Sequence, residues 1–166
     1  MTFFRIKKIK GKEYGYLVSN QWKSKGSRQK VKGFLGRVHR FELKNPIEFL
    51  QFVKAENAEK YINENNASKI IKDLIEWELF KFDVDIKKFS IDLANNKIQN
   101  GNRNIVLLIN GGFMCNLTLK GLLEFKSEND DNNDGYRLAR SFVEAGIKIP
   151  QEIFIGLFGK SYNKSK

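Results

Sequence analysis

The stretch Gly26–Val38, "GSRQKVKGFLGRV", decides how the first quarter of the chain is read. Its charges fall at Arg28, Lys30, Lys32 and Arg37, and its apolar residues at Val31, Phe34, Leu35 and Val38. With a repeat of two, Arg28, Lys30, Lys32 and Phe34 share one face of a strand, and Val31, Gly33 and Leu35 face the other way. Such a strand is suited to lying against a polyanion.

Two segments upstream read in the same way. "TFFRIKKIKG" closes at a Gly11-Lys12 turn, and "EYGYLVSNQW" is rich in aromatic and β-branched residues. "KSKGSR" supplies the next turn. Three short strands with tight connections make an antiparallel meander. In the second strand Tyr14, Tyr16, Val18, Asn20 and Trp22 share a face. The first strand does not alternate cleanly at Lys7-Lys8, which marks an expected bulge.

The charge distribution supports a dedicated module. The chain of 166 residues carries a net charge of +11. Residues 1–44 hold 13 Lys/Arg against two acids, Glu13 and Glu42, whereas the remainder holds 17 bases and 17 acids. A uniform lysine bias would spread its bases along the chain. Concentration at one end points to a surface that meets a polyanion.

The remainder reads as a neutral mixed domain. Asn45-Pro46 opens a helical region that runs to a break at Asn65-Asn66. "ASKIIKDLIEWELFKF" follows as a buried helix with a wide apolar face. "KFSIDL" is a strand, "NNKIQNGNRN" a turn region, "IVLLI" a central strand and "NGGFMCN" a glycine turn. "TLKGLLEFK" is a short helix capped by Asn116, and "YRLARSFVEAG" a helix stopped by Gly146. A last helix starts at Pro150, and "SYNKSK" reads as a disordered tail. The fold class is therefore α+β: an N-terminal three-stranded antiparallel sheet followed by a mixed helix/strand domain. The expected boundaries are 1–44, 45–160 and 161–166.

The stretch "RQKVKGFLGRV", with Leu35-Gly36 followed by Arg37, resembles the small basic β-region at the front of some DDE-type insertion-sequence transposases. The resemblance covers the N-terminal region only. It implies association with DNA rather than strand transfer, because the residues that follow are too few for a full RNase H-like catalytic domain.

These readings give a non-enzymatic nucleic-acid-binding protein. Arg28, Lys30, Lys32 and Arg37 hold phosphates, helped by Arg5, Lys7 and Lys8, and release counterions on binding. Trp22 and Phe34 are the aromatic contacts for unpaired bases. As a group, Tyr14, Tyr16 and Trp22 are read first as the core of a small sheet. Whether the partner is DNA or RNA stays open.

Other chemistries find less footing. Asp83, Asp85, Asp92 and Glu124 are the carboxylates for an alternative, a small metal-dependent nuclease. A second alternative is a protein-interaction module of a ribonucleoprotein, binding through residues 45–160. Asp130–Gly135 matches the first half of a calcium loop, but Ser141 stands where a bidentate Glu belongs, so Asp134 is read instead as the cap of the next helix. Gly111-Gly112 lacks the Gly-Lys-Ser/Thr of a phosphate loop. One cysteine, Cys115, and one histidine, His39, cannot build a Cys/His zinc site. No metal or cofactor is expected. With no apolar run of spanning length and an N-terminus broken by charge, the expected location is the cytoplasm, away from membrane.

Overall fold

The computed structural model describes residues 1–128 and 130–163, with the side chains of 131, 132, 162 and 163 left aside. The three N-terminal strands form as read: β1 (Thr2–Ile9), β2 (Lys12–Lys23) and β3 (Gly26–Arg40). β1 and β3 each pair antiparallel with β2. They do not form a sheet of their own. The second half of β3 pairs in parallel with the apolar run of β6 (Arg103–Ile109), Arg37 opposite Ile105 and Arg40 opposite Leu108. The result is one seven-stranded mixed sheet in the order β1-β2-β3-β6-β5-β4, with β7 (Gly112–Met114) also on β6. This corrects the expectation of a separate three-stranded antiparallel sheet. A run such as Ile105-Val106-Leu107-Leu108-Ile109 needs partners along both edges, and β3 supplies one of them.

Gly36 lets β3 approach β6. Its φ is +127°, and a Cβ there would collide with the Asn104 carbonyl and lie 2.8 Å from Ile105 Cα. Only glycine tolerates that backbone and that proximity.

The helical segments divide the core work. The expected single helix after Pro46 is two short ones, α1 (Phe49–Phe52) and α2 (Ala58–Glu64). Lys54 takes a left-handed φ of 55° between them. Asn57 then restarts the helix by accepting from Lys60 N–H. Asn45 is not a cap. Its amide donates to the Phe80 carbonyl at 3.0 Å. α3 (Ala67–Lys81), capped by Asn66, is buried as read. Its Ile70, Leu74 and Ile75 meet Leu119 and Leu122 of α4 (Asn116–Leu123), Leu138 and Phe142 of α5 (Asp131–Glu144), and Ile153 and Leu157 of α6 (Gln151–Asn163) in the main core. A smaller cluster, Val38, Val106 and Cys115 with Ile6, Leu35, Leu108 and Phe113, lies against the sheet.

Four further expectations change. The polar "turn region" contains β5 (Lys97–Asn100), which pairs β4 (Ser90–Asp92) on one side and β6 on the other. α4 is capped at Cys115, while Asn116 Oδ1 accepts from Ile98 N–H. Asp130, not Asp134, caps α5. The expected tail is helical through Asn163, and residues 164–166 lie outside the described residues. Gly146 ends α5 as read, with φ +76°.

A buried carboxylate ties these layers together. Glu78, fully buried on α3, accepts from Asn110 Nδ2 at 3.0 Å and Lys148 N–H at 2.9 Å, and pairs with Lys81 at 3.1 Å. Every oxygen is thereby satisfied, as a buried charge requires.

Candidate functional site

The faces of the N-terminal strands follow from their register. Residues directly opposite one another in an antiparallel pair project to the same side. In β1 and β2, Arg5 faces Tyr16, and Lys7 faces Tyr14. All four therefore share one face. Phe4 and Leu17, Lys8 and Glu13 share the other. The register runs unbroken along β1, so there is no bulge at Lys7-Lys8.

The irregularities lie in β3 instead. Val18 pairs Val31 and Leu17 pairs Gly33, which leaves Lys32 as an extra residue. Tyr16 pairs Phe34 and Gly15 pairs Gly36, which leaves Leu35 as a second. Each extra residue inverts the alternation. The first bulge moves Phe34 to the face opposite Arg28 and Lys30. The second moves Arg37 onto the face of Phe34, opposite Tyr14. The single face expected for Arg28, Lys30, Lys32 and Phe34 is thus corrected.

One face now carries Arg5, Lys7, Lys12, Tyr14, Tyr16, Trp22, Phe34, Arg37 and His39, and no carboxylate from β1–β3. The aromatic rings form a cluster. Phe34 lies 5.3 Å from Tyr16 and 6.1 Å from Tyr14, centroid to centroid. Lys7 Nζ sits 5.0 Å from the centre of the Tyr16 ring, within cation–π reach. Phe34 is 60% exposed, so the cluster is a surface platform rather than core. Trp22 is 84% exposed near the end of the β2–β3 hairpin, which settles its expected core role against it; Tyr14 and Tyr16 are half-buried.

The opposite face differs. Phe4 stacks on Phe113 of β7 at 5.0 Å, and Arg40 is engaged with Glu13, its Nη2 donating at 3.0 Å. The hydrogen bond from Arg40 holds the Glu13 carboxyl below the usual carboxylate range. Lys8, Arg28 and Lys30 belong to this side. The N-terminal cations therefore form two groups rather than one.

Beside the aromatic platform the β5–β6 hairpin closes a cleft of about 600 Å³. Lys12, Tyr14, Phe34, Arg37 and His39 line it from the N-terminal sheet, and Asn100, Arg103, Asn104 and Ile105 from the hairpin. His39 rests edge-on against Phe89, with ring centroids 5.0 Å apart. Its burial, with Arg37 and Lys88 nearby, pushes its pKa below the usual histidine value, which favours the neutral ring. Among the described residues, Arg5, Lys7, Lys12, Arg37 and Arg103 form no ion pair with an acid.

The hairpin residues Asn100, Arg103 and Asn104 are outside the set read from sequence. They belong to the neutral part of the chain, and only the parallel pairing of β3 with β6 brings them to the basic strands.

The four carboxylates considered for a nuclease are held locally. Asp85 accepts from Lys87 and Lys88 N–H, Asp92 from Ala94 and Asn95, and Glu124 from Asn96, while Asp83 meets Lys44 at 3.5 Å. Among the described residues no three His, Cys, Asp or Glu side chains gather as a metal site. The side chains at positions 131 and 132 of the calcium-like string lie outside the described residues. Its Asp134 is buried in the first turn of α5 and accepts from Ser127 Oγ at 2.6 Å and from Glu128 N–H, beside Arg137. Among the described residues no helix is long and apolar enough to cross a membrane.

Comparison with known proteins returns no match to a family model, to a curated protein or to a solved structure.

Proposed function

We propose that the chain binds nucleic acid through the face bearing Arg5, Lys7, Lys12, Tyr14, Tyr16, Phe34 and Arg37, without chemistry of its own. One observation carries this reading: four cations and three clustered aromatic rings share a face whose strands contribute no carboxylate. Unpaired cations neutralise phosphates and release counterions, while rings stack on bases whatever their sequence. Arg28 and Lys30, with Lys32 at the bulge, form a second cationic group that assists from the hairpin. DNA and RNA both fit this chemistry, and the DNA association implied by the transposase resemblance is compatible with it.

The test is the salt dependence of binding to a labelled oligonucleotide. Changing Arg5, Lys7 and Arg37 together to Ala removes three phosphate contacts. The logarithmic salt slope becomes shallower by about 2–3. The matching change of Arg28, Lys30 and Lys32 to Ala alters the slope less. An unchanged slope in the first variant takes that face out of the interface.

A further inference from the structure

The cleft between the platform and the β5–β6 hairpin differs from the open sheet in being concave, and its lining is sorted by chemistry. Lys12, Arg37 and Arg103 supply three cations, Asn100 and Asn104 two amides, Tyr14 and Phe34 two aromatic rings, and His39 and Ile105 the remainder. Among the described residues no carboxylate lines it. Its volume of about 600 Å³ falls in the range of sites that enclose a small organic ligand.

We infer that this cleft receives one unpaired nucleotide of a single strand, its base against Phe34 and Tyr14 and its phosphate between Arg37 and Arg103. The proposal rests on the nucleic-acid reading and adds selectivity to it. Three groups favour this occupant over a free anion or an apolar molecule. Cations alone would suit any phosphate, and rings alone any apolar body. Amides beside rings and cations match a base edge, a base face and a phosphate in one residue of the polymer. A duplex fills the cleft only by extruding a base, which costs unpairing and unstacking. Single strands are thereby preferred to duplexes of the same sequence.

Phe34 and Arg103 are exposed, so their replacement leaves the core untouched. Three probes are compared by fluorescence anisotropy at one salt concentration: a single strand of about 12 nucleotides, its duplex, and a backbone of the same length with abasic residues. The expected result is that wild-type protein binds the single strand about ten-fold tighter than either other probe. Phe34→Ala abolishes that preference and Phe34→Tyr keeps it, whereas Arg103→Ala weakens binding to the single strand. Equal affinity for all three probes, with Phe34→Ala weakening none selectively, overturns the cleft proposal while leaving nucleic-acid binding in place. Absence of salt-dependent binding to every probe overturns both.

Discussion

At the scale of single residues, Asp134 shows how a sequence signal for one role is spent on another. The string around it looks like a calcium loop, yet its carboxylate is buried and turned onto Ser127, Glu128 N–H and Arg137. These partners, the Ser127 hydroxyl first, hold its pKa below the usual value for an aspartate. A carboxyl whose folded pKa is depressed stabilises the fold above its unfolded pKa. That contribution is lost as pH falls through the folded value. The unfolded pKa lies near 4, so the loss begins there and is complete only at lower pH. Acid unfolding of wild-type protein and of Asp134→Asn, followed by circular dichroism, checks this. The two stability curves are expected to converge as the pH falls below about 4, with wild type the more stable at pH 7. Curves that stay parallel across that range contradict it.

At the scale of elements, β3 determines the outcome. Its strands, turns and approximate ends are legible in the sequence because alternation and turn glycines are local signals. Its two bulges are not. A bulge is selected by pairing across the sheet, and Lys32 and Leu35 look like ordinary strand residues. Two added residues then reassign Phe34 and Arg37 to a face that simple alternation denies them. β5 was hidden for a related reason: Ile98 is the lone apolar residue in Lys97–Asn100, and it is fully buried. The divided helix was better marked, since Asn57 and Lys60 carry a recognisable capping spacing. Gly36 is the residue on which β3 depends most. Gly36→Ala is expected to destabilise the fold by about 2 kcal/mol or more, from a disfavoured backbone and a collision with β6. For a chain of this size that lowers Tm by about 4–8 °C. Thermal unfolding measures it, and an unchanged Tm would contradict the close approach of the two strands.

At the scale of the whole molecule, the surplus charge lies at one end of the chain, but the strands that carry it do not stand apart from the rest. The basic strands are continuous with the sheet that runs through the rest of the chain, and the cleft takes residues from both halves. Composition is blind to this, because a parallel pairing between β3 and β6 links residues far apart in sequence. The cations also divide between two faces, and the account stands on which of them is used. Lysine acylation, read by mass spectrometry with and without a saturating single-stranded oligonucleotide, separates the two directly. Protection of Lys7 and Lys12, with Lys8 still reactive, is the predicted result; protection of Lys8, with Lys7 and Lys12 still reactive, would contradict it.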